Sequence, residues 1–338
     1  MNRIPTLDGW RGIAILLVLL DHTQDSLLHH YVYPCAQTGG HGVTIFFVLS
    51  GFLITSKLLE APIDLKRFYI RRMFRLMPAA WTYLVILLLL GVMTGVHFAP
   101  ILGVTSCVFF FRNFIGLEGG PLTGHFWSLS LEEQFYLVWP LLLLLAGARR
   151  CRWIAAAGAI ACAVYRWFFW AQYDHIMISG RSQVRADALL VGCLLALLLA
   201  DQRVRLQASR LSKFYAPFAL AGLLFSIARF HTMAPLFESV SIAGLIAATT
   251  FHPKSFIARP LSFSPLAWLG TISYSLYIWQ AFFMAFRSPL ALCLFMPAAA
   301  LASYYFIERP ATRLGHRLTG SQVRNHEGFD TRVAFAKP

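Results

Sequence analysis

The chain has 338 residues, of which 58% are hydrophobic and only 13% are charged. A soluble globular domain carries about a quarter of its residues charged, so this composition excludes an ordinary soluble domain, a disordered chain and a secreted disulfide scaffold. The net charge is +14, from 29 basic and 15 acidic residues, an excess that is typical of cytoplasmic loops in a membrane protein and does not indicate nucleic acid.

Ten apolar stretches are long enough to cross the roughly 30 Å hydrocarbon core, which takes about 20 residues of helix. An eleventh stretch, 101–117, is shorter and is interrupted by Arg112 and Asn113. The ten lie near residues 7–22, 42–58, 79–96, 129–147, 153–170, 187–201, 214–231, 237–252, 266–286 and 290–307.

The basic residues fix the expected orientation. With a cytoplasmic N-terminus and ten alternating helices, 23 of the 29 basic residues face the cytoplasm, as the positive-inside rule expects. Counting 101–117 as a crossing would move the basic clusters at 149–152 and 203–213 outside. The sequence therefore predicts an all-α polytopic membrane protein with both termini cytoplasmic and a re-entrant or interfacial segment at 101–117. The predicted domains are a transmembrane domain over 1–309 and a basic cytoplasmic tail over 310–338.

The first predicted helix carries ionisable residues that lipid does not favour. Arg11 and His22 are eleven residues apart, close to three helical turns, so they share one face about 16 Å apart along the axis. Asp8 stands three residues before Arg11 and can pair with it, and Asp21 directly precedes His22. The alternative is that Arg11 snorkels to the interface and His22 is an interfacial residue.

A second polar stretch follows the second helix. Taken as a helix, Arg71, Arg72 and Arg75 are neighbours at spacings of one, three and four residues. Three cations held together suit a phosphate-bearing ligand. The alternative is that they serve topology and bind anionic headgroups.

Further charges stand in or beside later spans. Glu132 and Glu133 are adjacent near the predicted outer start of a span, so they cannot both face lipid, and one is expected to line a cavity. The alternative is an interfacial aromatic belt with snorkelling acids. Arg185 and Asp187 open another helix and can pair with each other or with other helices. The segment Glu308–Arg309–Pro310 ends the last predicted helix. Its charges, like those of Arg185 and Asp187, can simply form a structural ion pair.

Six cysteines are scattered along the chain and none forms a CxxC pair. This spacing does not favour a structural zinc or redox site, so no metal is predicted. On the predicted topology only Cys35 and Cys107 face outward, where they form either a disulfide or two free thiols.

Together these stretches resemble the acyltransferase-3 family of bacterial membrane enzymes, which O-acylate cell-surface and secreted glycans. The matching blocks follow the order of the family from residue 7 to residue 310. They are Leu7-Asp8-Gly9-Trp10-Arg11-Gly12-Ile13-Ala14 with His22, the helix from Gly42 to Ile54, Arg71-Arg72-Met73-Phe74-Arg75 with Pro78, the block from Phe126 to Tyr136, Arg185-Ala186-Asp187-Ala188-Leu189, Ile272-Ser273-Tyr274-Ser275-Leu276-Tyr277-Ile278-Trp279, and Glu308-Arg309-Pro310.

The resemblance implies a cytoplasmic acyl-CoA donor, with acetyl-CoA the commonest, and a hydroxyl of a glycan or glycolipid as acceptor. His22 is then the catalytic residue, either as general base or as a transiently acylated nucleophile, with Asp21 or Glu132 orienting its ring. The expected donor-binding residues are Arg11, Arg71, Arg72 and Arg75, and the expected acceptor-binding residues are Trp127, Glu133, Arg185 and Asp187. Gln280 stands where the family commonly has His, so its role is expected to be structural or fulfilled by hydrogen bonding.

The rival interpretation is a transporter or flippase of a lipid-linked sugar, which would share the helices and the intramembrane charge. The expected location is the bacterial cytoplasmic membrane. The expected partners are the acceptor and membrane lipid, and the sequence gives no indication of an oligomeric state.

Overall fold

The computed structural model of the protein describes residues 4–22, 39–96, 98–169, 181–228, 234–286, 288 and 290–320. This part of the chain is helical and contains no strand. We number its helices α1 (Pro5–His22), α2 (Gly39–Leu59), α3 (Leu65–Thr94), α4 (Ile101–Val108), α5 (Phe126–Phe169), α6 (Ser182–Leu199), α7 (Gln202–Ala228), α8 (Ala234–Phe251), α9 (Ala258–Leu261), α10 (Ser264–Thr271), α11 (Ser273–Met284) and α12 (Ala291–Leu318).

Five helical segments in the described ranges are long and apolar enough to cross a membrane: Gly39–Leu59, Leu65–Thr94, Pro121–Phe169, Ser182–Leu199 and Ala291–Leu318. The protein is therefore a helical, multi-pass membrane protein by composition, whereas ten crossings and the side of each terminus stay predictions. Other predicted spans also form helices. They are short, as in α10 and α11, or carry several charges, as in α1 and α7.

Local sequence explains where two of the long helices begin, end or bend. The Asp64 carboxylate accepts from the Arg67 amide at 2.9 Å and caps the start of α3, and Gly95 ends this helix with a φ of +69°. Gly147, with a φ of +72°, divides α5 into two arms that correspond to the predicted spans 129–147 and 153–170.

The segment 101–117 does not form a crossing helix. Its only α-helix, α4, has eight residues and rises about 12 Å, less than half of the hydrocarbon thickness. Three 3₁₀ turns, Arg112–Phe114, Leu117–Gly119 and Pro121–Thr123, lead from there into α5.

The last helix extends beyond the predicted end of the membrane domain. α12 continues through Pro310 to Leu318, and π-helical turns occupy Ala291–Phe295 and Tyr304–Glu308. The second π turn shifts the hydrogen-bond register just before Pro310, which lacks an amide proton. Gly315 packs against the Phe74 side chain, so the start of the predicted tail is a helix that lies on α3, and residues 321–338 lie outside the described part.

Helices α2 and α6 pack closely against each other through two glycines. A methyl group on Gly51 would lie 2.0 Å from the Leu189 carbonyl oxygen, and one on Gly192 would lie 2.1 Å from that of Val48. These contacts hold α2 and α6 side by side, as small residues do between membrane helices.

The two helices run parallel, because Arg185 near the start of α6 donates to Gly40 and Thr44 near the start of α2. The starts of α2, α6 and α8 lie at the end of the helix bundle where α1 ends, since Gly39 packs on Asp21, Arg185 donates to Gly40, and His41 contacts Glu238.

Candidate active site

A group of buried and half-buried charges lies between α2, α3 and α5. The Ser50 hydroxyl donates to Glu132 Oε1 at 2.7 Å. Arg72 Nε lies 3.9 Å from Glu133 Oε1, and the Arg72 guanidinium carbon lies 3.6 Å from the centroid of the Tyr136 ring. The prediction was that Glu132 and Glu133 do not both face lipid. Both face the protein interior, where a hydroxyl stabilises Glu132 and a cation stabilises Glu133.

Residues of α1 and α12 extend this group. Arg11 pairs with Asp8 at 3.9 Å, as their spacing predicted, and also lies within electrostatic range of Glu132 and Arg75. The Glu308 carboxylate accepts from the Ser275 hydroxyl at 2.8 Å and attracts Arg75. We call Arg11, Arg72, Arg75, Glu132, Glu133 and Glu308 the arginine–glutamate cluster. It holds three arginines and three glutamates from four helices, α1, α3, α5 and α12.

The three arginines of the basic run have different partners. Arg72 and Arg75 belong to the arginine–glutamate cluster, whereas Arg71 Nε donates to the Thr319 hydroxyl at 2.9 Å. Adjacent residues of a helix point about 100° apart, which explains the separation of Arg71 from Arg72. Arg71 therefore connects α3 to the end of α12.

The second group of charges lies where α1 ends. A methyl group on Gly39 would lie 2.5 Å from Asp21 Oδ2, so the last turn of α1 packs against the first turn of α2. α1 is one continuous helix that includes Arg11 and ends at His22, as predicted, but the side chain of His22 lies outside the described residues.

His41 and Glu238 belong to this end of the bundle and were missed by the sequence reasoning. His41 Nδ1 lies 3.0 Å from Glu238 Oε1, and both side chains are buried. Glu238 is an acid within the predicted span 237–252, so the rule that ionisable residues inside spans are functional candidates would have found it.

Arg185 and Asp187 make their hydrogen bonds to other helices and attract each other only over a longer range. Asp187 Oδ2 accepts from Arg166 Nη2 at 2.6 Å, and both side chains are almost fully buried. Arg185 Nη2 donates to the Gly40 carbonyl oxygen at 3.2 Å and to the Thr44 hydroxyl at 3.0 Å. We call Asp21, His41, Arg185 and Glu238 the α1-end cluster.

The two clusters are separated along the helices. Ser50, which binds Glu132, follows Gly39 by eleven residues of α2, a rise of about 16 Å. Glu132 consequently lies far from the helix end that carries Asp21. Of the two acids expected to orient His22, the geometry favours Asp21.

The expected acceptor-binding residues do not come together in one place. Glu133 lies in the arginine–glutamate cluster, Arg185 in the α1-end cluster, and half-buried Trp127 packs edge-on against the Phe47 ring. Asp187 forms a buried ion pair with Arg166.

Gln280 is fully buried, and neither polar atom of its amide has a hydrogen-bond partner among the described residues. The expectation that Gln280 acts through hydrogen bonding therefore gains no support from the structure. Its neighbour Tyr277 is hydrogen bonded, to the Ser128 hydroxyl at 2.6 Å and to the His125 carbonyl oxygen at 2.9 Å.

The described residues include no group of three or more His, Cys, Asp or Glu side chains that could hold a metal ion. Cys107 is a buried free thiol on α4 whose Sγ points at the Thr123 carbonyl oxygen, and burial raises its pKa to about 12. The predicted alternative of a disulfide involves Cys35, which lies outside the described residues.

Comparison with known proteins identifies the family. The family model described as an acyltransferase domain, acyltransferase-3, matches residues 4–307. The chain belongs to the acyltransferase-3 family. The resemblance inferred from the sequence blocks is thereby confirmed over nearly the whole chain.

Curated relatives of this acyltransferase-3 chain are named for O-acetylation. Peptidoglycan O-acetyltransferase OatA of Listeria monocytogenes is 30% identical over 324 residues, covering 85% of this chain and 50% of OatA. YrhL of Bacillus subtilis, provisionally named a peptidoglycan O-acetyltransferase, is 30% identical over 374 residues, covering 96% of this chain and 57% of YrhL. The chain thus spans about half the length of these relatives. No solved structure is significantly similar to it.

Proposed function

We propose that this acyltransferase-3 chain is a membrane-bound O-acyltransferase that moves an acyl group, most simply acetyl, from cytoplasmic acyl-CoA to a hydroxyl of a glycan. Family membership and the names of the relatives support the reaction class. The observation that carries the proposal is the arginine–glutamate cluster, a set of cations and carboxylates among apolar helices, all but Arg75 buried or half-buried, that packing alone would not require. The bacterial cytoplasmic membrane is the proposed location.

The donor is assigned to the end of the bundle that carries Arg71, Arg72 and Arg75. CoA is strongly anionic, and arginine binds phosphates through planar, paired hydrogen bonds. Arg72 is already stabilised by Glu133 and Tyr136, so its proposed role is to hold the site in shape, and Arg71 and Arg75 are assigned to the phosphates. Arg11 on α1 lies within electrostatic range of Arg75 and is assigned to the start of the path towards His22.

The chemistry is assigned to the end of α1. A hydroxyl is a poor nucleophile at neutral pH, and an imidazole is the side chain whose ordinary pKa suits a general base there. In the proposed reaction His22 takes the proton of the acceptor hydroxyl while the oxygen attacks the thioester carbonyl. The C–S bond then breaks, and the CoA thiolate leaves with the proton that His22 had taken, which returns the imidazole to its neutral form. Asp21, the preceding residue, is assigned to stabilise the charged ring.

The test measures transfer directly. Purified protein is mixed with radiolabelled acetyl-CoA and with peptidoglycan or glycolipid extracted from the bacterial envelope. The proposal predicts that label appears on glycan with wild-type protein and not with His22→Ala, whereas the control His316→Ala transfers normally. Label that stays on CoA with wild-type protein contradicts the proposal and is the result expected of a transporter, an alternative that the names of OatA and YrhL do not support.

The donor assignment has its own test. Replacing Arg71 and Arg75 with Gln should raise the KM for acetyl-CoA more than it lowers kcat. The matched control replaces Arg210 and Lys213, which are exposed basic residues of α7, with Gln and should leave that KM unchanged. An unchanged KM in the Arg71 and Arg75 variants would remove both residues from the donor site.

A further inference from the structure

The contact between His41 and Glu238 joins the first turn of α2 to the second turn of α8. His41 Nδ1 lies 3.0 Å from Glu238 Oε1, and the two side chains are 4% and 1% exposed. Arg185 lies within electrostatic range of Glu238, so two groups able to carry positive charge stand beside one fully buried carboxylate. The positive charge of Arg185 therefore offsets part of the cost of burying this carboxylate.

The position of this pair matters as much as its chemistry. Gly39 packs on Asp21, and a methyl group on Gly42 would lie 2.4 Å from the Ala14 carbonyl oxygen, so α2 follows the last turns of α1 closely. His41 stands between these two glycines in the sequence. Glu238 is thereby held at the end of the bundle where α1 ends at His22, the proposed catalytic residue.

Glu238 has unused capacity to accept hydrogen bonds. A carboxylate offers about four lone-pair positions, yet neither oxygen of Glu238 receives a hydrogen bond within the described part of the chain. Buried acceptors are normally satisfied, and two apolar side chains would join α2 and α8 at less cost. A pair that served only to join the helices would not need a carboxylate with open acceptor positions.

The chemistry of the cluster selects the ligand. A carboxylate repels anions such as the CoA phosphates, and Arg185 and His41 disfavour a cation at the same place. A neutral molecule rich in O–H and N–H donors satisfies both conditions, and a sugar with free hydroxyl groups is such a molecule.

We propose that Glu238, held by His41 and Arg185, binds the hydroxyl groups of the acceptor sugar beside the reacting hydroxyl. Glu238 is thus a binding residue for the acceptor, and His41 and Arg185 are positioning residues. The inference rests on the proposed O-acyltransferase function for its substrate, and it adds an acceptor subsite to it.

The first experiment measures binding without turnover. Detergent-solubilised full-length protein is titrated by calorimetry with lysozyme-released peptidoglycan fragments in the absence of acyl-CoA. Wild-type protein should bind the fragments, and Glu238→Gln should bind them at least tenfold more weakly. The matched control is Ser239→Ala, which removes a hydroxyl that donates to the Pro235 carbonyl oxygen of its own helix, and it should bind as wild type does. No binding by wild type, or equal binding by Glu238→Gln, would overturn the inference.

Steady-state kinetics distinguish a role of Glu238 in acceptor binding from a role in the fold and from a role in the chemical step. In acetyl transfer, Glu238→Gln should raise the acceptor KM about tenfold, while the KM for acetyl-CoA stays unchanged and kcat changes less than threefold. His41→Asn should also raise the acceptor KM, by a smaller factor. Equal losses in kcat and in both KM values would mean that the pair only holds the fold. If wild-type protein binds fragments through Glu238 but transfers no acetyl group, the proposed function fails while the subsite stands.

Glu238→Asp guards against a variant that does not fold. It keeps the charge beside His41 and Arg185 but withdraws the carboxylate by about one methylene, so it should melt near the wild-type temperature and still bind the fragments more weakly. Binding as tight as that of wild type would count against the subsite.

Discussion

The Ser50 hydroxyl donates to Glu132 Oε1 at 2.7 Å and thereby joins α2 to α5 inside the bundle. The two residues are 82 positions apart in the sequence, and each lies in a block that resembles the acyltransferase-3 family. Their contact places Glu132 at the level of Ser50 on α2, well below the end of the bundle where α1 ends. It also explains why Glu132 is not available at the α1 end.

Removing the Ser50 hydroxyl should impair acyl transfer. A hydrogen bond to a charged group contributes about 1.5–3 kcal/mol, so Ser50→Ala should lower kcat/KM by roughly ten- to a hundredfold because Glu132 loses its fixed position. Ser50→Thr keeps a hydroxyl and should recover part of the rate. Thr82→Val, which removes a hydroxyl bonded to the Pro78 carbonyl oxygen of its own helix, is the control and should stay near wild type. A normal rate for Ser50→Ala would show that this contact does not support the reaction.

Breaking the ion pair between Arg166 and Asp187 should destabilise the fold. The two side chains are 1% and 2% exposed, and their charged atoms are 2.6 Å apart. Asp187→Asn leaves a buried guanidinium without its counter-charge, which costs about 3–5 kcal/mol. Thermal denaturation in detergent should show a clear drop in melting temperature.

Two further variants test whether the loss of stability comes from the unpaired buried charge. Lys57→Gln breaks the more exposed pair with Glu60 and should cost less than about 1 kcal/mol. The double variant Arg166→Met with Asp187→Leu removes both charges and should recover much of the loss. A melting temperature for Asp187→Asn equal to that of wild type would mean that the pair contributes nothing to stability.

Replacing Gly51 should separate α2 from α6. The added methyl group would lie 2.0 Å from the Leu189 carbonyl oxygen, a backbone atom that cannot turn away. Overpacking of this kind costs about 1–3 kcal/mol, so Gly51→Ala should lower the melting temperature. Gly40→Ala on the same helix meets no atom within 4 Å and should melt as wild type does. Equal melting of the two variants would contradict the close packing of these helices.

Local patterns predicted much of the fold, and long-range contacts account for what they missed. The bounds of α1 and α2 follow from apolar runs, and the pair of Asp8 with Arg11 follows from helical spacing. The partner of Arg72 could not be predicted, because Glu133 is 61 positions away and only the packing of α3 against α5 brings them together.

Two further differences have the same physical origin. Arg166 stands inside a predicted span, and its role depends on Asp187, which a different helix supplies. The predicted tail begins as a helix because Gly315 allows α12 to pack on Phe74, a contact that no local pattern indicates.

The orientation of the bundle can be tested on α3. Ala61 stands just before this helix, whereas the Tyr83 hydroxyl donates to the Leu122 carbonyl oxygen 18 residues into it, a rise of about 27 Å. Leu117 lies in the turns next to Leu122 and is 79% exposed. Ala61 and Leu117 should therefore face opposite sides of the membrane.

The positive-inside rule decides which side is which. In a variant with Cys35 and Cys293 replaced by Ser, a membrane-impermeant maleimide should label Leu117→Cys in intact spheroplasts and Ala61→Cys only after permeabilisation. This result would place the basic start of α3, with Arg71 and Arg75, in the cytoplasm where acyl-CoA is found. Labelling in the reverse order would put those arginines outside and remove them from the donor site. Labelling of both positions from one side would mean that α3 does not cross the membrane.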